Sequence, residues 1–345
     1  MRESIDRLPS SGSGGAELGR GFGRKARSPA LCLFLAAAIL GILTVTASCS
    51  SAPKAPDEVF DTRNKAADYL KLADSLLREG QYDNAEKYYR EAMDADSSVD
   101  WLPGTAIAHH SIGRLRLLEG DFSGAQKEFA EAADYARLAG QAQDASLAAS
   151  LAAAGLGEVA FREGDKKAAL AHFQDAVSLA GADDRALAVA LHDRASAEFS
   201  TGDAKAATAD LDRATAMNLK LKRWSELGSN YYLRSIFAEK NGDLADALTL
   251  AGEALTNDRK AENTYGIVGD LARLAVLSRA VGKPDDAYWY WRRSFDAALG
   301  GNLPTETLKA IDGILNALDA AGRSAEATDW ESMKSKLEKI AGGSK

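Results

Sequence analysis

The sequence predicts an all-α fold: an array of about seven helix–turn–helix units with no sheet. Three observations predict it. The pattern Gly-x-x-x-x-Ala recurs seven times, with glycines at Gly80, Gly120, Gly164, Gly202, Gly242, Gly282 and Gly322, separated by 40, 44, 38, 40, 40 and 40 residues. Seven residues before each glycine stands a small residue (Ala73, Gly113, Gly157, Ala195, Ser235, Ala275), with Leu315 as the exception. Nine residues after it stands a large apolar one (Tyr89, Phe129, Phe173, Leu211, Trp291), from which Ala251 and Glu331 depart. A fixed period of this size marks a repeat array in which each unit hides its apolar face against its neighbours.

Within one unit the elements follow in order. Tyr69, Leu72, Ala73, Leu76 and Leu77 fall at i, i+3, i+4, i+7 and i+8, one helical stripe. The hinge glycine then ends the first helix, because a left-handed residue there needs the freedom of a missing Cβ. Asp121, Asp165, Asp203 and Asp243 follow directly and are placed to accept the free N–H groups of the second helix. Twelve residues after the glycine a small residue returns, from Ala92 to Ser294, until Lys334 breaks the pattern. Small residues on both helices let the backbones approach, and the aromatic fills the space beneath.

The motif Tyr69-x-x-Leu72-Ala73, Gly80-Gln81-Tyr82-x-x-Ala85, Tyr89-x-x-Ala92 resembles the tetratricopeptide repeat. The resemblance covers about residues 62–341 and implies a right-handed α-solenoid. HEAT repeats share the length, but not the glycine-to-alanine spacing with its small residue seven earlier. The period is near 40 rather than the family's commonest 34, so the long variant of kinesin light chains and bacterial Rap-type regulators is the nearer comparison. The family implies partner binding in a concave groove lined by first helices, without catalysis.

The first 48 residues differ. Arg20, Arg24, Lys25 and Arg27 precede the apolar run Ala30–Ala47, which ends in Ser48-Cys49-Ser50-Ser51. A basic flank, an apolar core and a small-residue exit predict a secretion signal over 1–48. Thr46-Ala47-Ser48-Cys49 resembles a bacterial lipobox, which implies cleavage before Cys49 and acylation of that residue, palmitate included. Residues 49–61, with Pro53 and Pro56, then read as a tether. An uncleaved anchor is the alternative, for which the run is barely long enough. Both place the repeats outside the cytoplasm. The expected location is the bacterial envelope: the outer membrane facing the periplasm if the cell has one, since Ser50 rather than Asp follows the cysteine. Removal of 1–48 takes six basic and three acidic residues and leaves a net charge of −11. Such a surface disfavours nucleic acid and anionic headgroups.

No catalytic, metal or cofactor constellation emerges. The histidines, His109, His110, His172 and His192, form no His-Glu-x-x-His, and the glycines punctuate repeats rather than cradle phosphate. In the groove places where some family members hold a carboxylate with Lys and Asn, this chain carries Leu70 and Asp74, His110 and Arg114, Ala154 and Glu158, His192 and Ser196, Tyr232 and Ile236. That clamp is absent. Eight residues before the hinge the chain uses Leu or Ile in five units but Arg194 and Arg234 in two adjacent ones. Glu198 lies one turn after Arg194. A charge where the pattern demands leucine is paired or functional. Three readings stand: a structural Arg194–Glu198 pair, an anion or peptide site flanked by His192 and Tyr232, or a shifted helix that turns the arginines to solvent. In Tyr288-Trp289-Tyr290-Trp291, Trp291 matches the buried aromatic, while Trp289 and Tyr290 face outward or meet the last unit; partner contact is their alternative role. The leading expectation is a lipid-anchored scaffold for protein or peptide partners. The rival is a small-ligand-binding accessory lipoprotein of a transporter, which calls for an enclosed cavity near Tyr232.

Overall fold

The computed structural model describes residues 60–342. Cys49, the signal segment and nearly all of the tether lie outside them. Fourteen α-helices form seven consecutive pairs among the described residues: α1 (Asp61–Arg78) and α2 (Tyr82–Ser98), α3 (Leu102–Glu119) and α4 (Phe122–Ala139), α5 (Ala145–Arg162) and α6 (Lys166–Ala180), α7 (Asp184–Thr201) and α8 (Ala204–Leu221), α9 (Trp224–Lys240) and α10 (Leu244–Lys260), α11 (Thr264–Ala280) and α12 (Pro284–Gly300), then α13 (Pro304–Ala320) and α14 (Ala327–Gly342). No strand occurs among the described residues.

The turns within the pairs fall on the seven glycines, each with positive φ, from +70° at Gly322 to +98° at Gly202. The aspartates after them cap as their position predicts. Asp121, Asp165, Asp203 and Asp243 accept the backbone N–H groups of Gly124, Ala168, Ala206 and Asp246. Such a cap stabilises a helix by about 1 kcal/mol. The small residue and the aromatic meet as expected: a Cβ on Gly113 would stand 2.7 Å from the Phe129 ring, and one on Gly157 2.8 Å from Phe173. The last unit departs where its sequence does. A 3₁₀ turn, Ser324–Glu326, intervenes between Gly322 and α14.

Each helix packs on the next, and each pair's first helix also packs on the first helix of the following pair. Successive second helices make no comparable contact. First helices therefore line one continuous inner face, the groove that positions the candidate site. A polar contact joins distant turns as well: Asn302 Nδ2 donates to Glu79 Oε2 at 3.0 Å.

Candidate functional site

The inner face of α3, α5 and α7 borders a half-open cavity of about 500 Å³. Its walls carry His110, Arg114, Glu158, Arg162, His192 and Asp193. These residues arrive there by helical register. His110 and Arg114 are one turn apart on α3, and His192 sits at the matching place on α7. The groove residues read from the sequence in the second, third and fourth units thus share one space, joined by Asp193, which sequence reasoning did not single out.

The charges in this cavity differ in commitment. Arg162 donates to Glu158 at 2.9 Å, so that pair is internally satisfied. Burial pushes the His110 imidazole down to about 3, with the Arg114 charge adding to it, so His110 stays neutral against the Phe129 ring at 5.5 Å. His192 Nδ1 lies 2.9 Å from the Asn230 amide. With that amide oriented to satisfy its other neighbours, its N–H faces Nδ1. Arg114 and Asp193 have no such partners: among the described residues neither makes a hydrogen bond or ion pair within the protein. They are linked only through space. Burial pushes the Asp193 carboxyl up to about 6; His192 and Arg114 pull it down and Glu158 pushes it further up.

The arginines that break the leucine pattern lie apart from this cavity's walls. Arg194 clasps Asp210 on α8 in two parallel bonds, Nε to Oδ2 at 2.6 Å and Nη2 to Oδ1 at 2.9 Å, and also donates to Gln174 on α6. Glu198 stands 3.6 Å from Arg194 as a second, weaker partner. The other Glu198 oxygen is buried without a partner; burial, then the Asp210 charge, raises its pKa. Arg234 pairs with Asp212 at 3.2 Å nearer the surface. All three charges are thus held within the fold. Asp210 escaped notice because the same register place, eight residues after the hinge, holds Tyr88, Glu128, His172 and Leu250 elsewhere and has no shared type to violate.

The aromatic run divides by face. Tyr288 is buried and Trp291 half-buried, packed so that a Cβ on Gly313 would strike its ring. Trp289 is 58% exposed, edge-on to Tyr288. Tyr290 is half-buried between the apolar clusters of the last three units. Tyr232 does not line the His110–His192 cavity; together with Tyr82 it raises the Tyr265 pKa, behind burial and Glu306.

Residues 66–137 match the tetratricopeptide repeat. Among solved structures the chain is similar to BtubC (BKLC) from P. vanneervenii, at 15% identity and a TM-score of 0.56, over 63% of this chain and 91% of that one. It is also similar to a Rap protein complexed with Competence and Sporulation Factor, at 14% identity and a TM-score of 0.51, over 80% of this chain and 76% of that one. Aspartyl phosphate phosphatase F from Bacillus subtilis gives 13% identity and 0.51, over 81% and 72%. The described residues have the fold of a tetratricopeptide-like α-solenoid. A comparison with curated protein sequences gave no match. Repeats of this type commonly mediate protein–protein interaction and are generally not catalytic.

Proposed function

We propose that this chain is a lipid-anchored, extracytoplasmic scaffold whose groove holds a segment of a protein partner at a bacterial envelope. The observation that carries the groove reading is the pair of unpartnered opposite charges, Arg114 and Asp193, in one cavity on the inner face. Asp193 is half-buried and bears a desolvation cost without a compensating bond, while Arg114 is exposed and open to what enters the cavity. The Rap protein of similar fold, solved in complex with Competence and Sporulation Factor, supports a binding role for such an array. The anchor rests on sequence: a basic flank, an apolar run and Thr46-Ala47-Ser48-Cys49.

A photo-crosslinking residue at Ser196, on the cavity wall, tests the groove in the native envelope. The expected result is capture of a discrete protein, abolished by Ala154→Trp, which fills the cavity. Capture unaffected by the plug would sink the groove reading. The anchor has its own test: Cys49→Ser should abolish palmitate labelling and leave an unprocessed precursor, and equal labelling would refute it. The small-ligand rival keeps the volume, since about 500 Å³ is within the range of small-molecule pockets, but the enclosed space it calls for beside Tyr232 is not this cavity, which Tyr232 does not line. That reading predicts no crosslinked protein from Ser196.

A further inference from the structure

Arg114 and Asp193 lie on α3 and α7, in the second and fourth units, with α5 between them. Both line the same cavity. They feel each other's charge yet stand beyond the 4.0 Å reach of an ion pair. The Glu158–Arg162 pair between them is neutral as a unit. The groove is therefore polarised along the array, positive at the second unit and negative at the fourth. A ligand that leaves either charge unmatched bears its desolvation, so the cavity discriminates by sign as well as shape.

We propose that this cavity selects an extended peptide segment carrying an acidic and a basic side chain a few residues apart, the acid docking on Arg114 and the base on Asp193. The inference rests on the groove-binding reading above and adds the chemistry and direction of the segment. An extended strand spans about 3.3 Å per residue, so an acid and a base about three residues apart reach separate docking points along the cavity. Ala154 and Gly155 of α5, small residues, also line the cavity.

The test uses the full chain in detergent and four blocked tetrapeptides, acetyl-Glu-Ala-Ala-Lys-amide, its reverse, and the Glu/Glu and Lys/Lys forms. Retention is read by mass spectrometry from an equimolar pool. One mixed-charge peptide should be retained at least about tenfold over both like-charge forms. Arg114→Gln should erase the demand for Glu, and Asp193→Asn the demand for Lys. Equal retention of all four, retention of none, or preferences unmoved by both substitutions would overturn the proposal. Displacement by free glutamyl-lysine at equal concentration would assign the site to a small zwitterion and defeat the peptide form. Crosslinked capture at Ser196 with no charge preference here would leave the groove reading standing and remove only this inference. Circular dichroism of both variants guards against loss of fold.

Discussion

The register place nine residues before the hinge glycine carries a charge on three inner helices; Lys71 is exposed, and the other two live differently. Arg273 of the sixth unit is 9% exposed and fully engaged: Nε donates to Ser235 Oγ at 3.0 Å, Nη2 to the Ser235 carbonyl at 2.8 Å and Nη1 to Glu239 at 2.6 Å. Asp193 of the fourth unit has the same address and no bonded partner among the described residues, and it looks into a cavity. Neighbouring first helices supply what Arg273 needs, whereas α5 offers Asp193 only Glu158, a like charge already bound to Arg162. A charge with its partners in hand belongs to the fold. One without them, facing space, is kept for something that arrives.

The first way to break this comparison is to remove a partner from an engaged charge. Asp210→Ala leaves Arg194, whose side chain is only 14% exposed, with Gln174 and the more distant Glu198 alone, and should cost about 2–3 kcal/mol in urea unfolding. A loss below about 1 kcal/mol would show that the seam does not depend on this pair.

A second engaged group sharpens the comparison through pH. Asp258 and Asp270 are both almost fully buried, and Asn263 Nδ2 donates to Asp258 at 2.9 Å. Burial, then the neighbouring Asp258 charge, pushes Asp270 up to about 9, so it keeps its proton and donates to Asp258. A native pKa above the unfolded value near 4 gives stability that is complete below about pH 4 and drains away as pH rises through about 9. Asp270→Asn cannot titrate. It should gain at least about 1 kcal/mol over the native chain at pH 8 relative to pH 5. Parallel pH profiles for the two proteins would contradict this.

Gly164→Val separates backbone strain from packing. Nothing lies within 4 Å of a Cβ there, yet φ is +88°. The expected loss is about 1–2 kcal/mol from conformation alone, and an unchanged melting midpoint would mean that the turn relaxes. The smallest effect is expected at Glu198. Because Asp210 holds Arg194, Glu198→Gln should shift stability by less than about 1 kcal/mol, and its buried unpartnered oxygen allows a slight gain. A loss of 3 kcal/mol would restore Glu198 as the principal partner.

Much of this architecture was legible in the sequence because it rests on residues that physics makes scarce. A left-handed hinge calls for glycine, and a helix start before free N–H groups calls for aspartate; both recur in phase. The turns between units were not legible. They use positive φ at Asp100, Asp144, Lys222, Glu262 and Asn302 beside Gly140 and Gly181, so no one residue type recurs there in phase as the hinge glycines do. At the site, Arg194 stood out because it replaces a leucine. Asp193 did not, since its register place holds Lys71, Ser111, Gly155, Leu233, Arg273 and Gly313 elsewhere, so no residue type there is anomalous. Sequence shows that a charge is unusual, and only the packing shows whether it is answered.

The most direct measurement pairs stability with capture in one variant, Arg114→Gln with Asp193→Asn. If these charges are kept for a partner, the double variant should unfold at the same urea midpoint or a higher one, yet lose the protein crosslinked from Ser196. A double variant that unfolds earlier, or one that still captures its partner, would contradict the account.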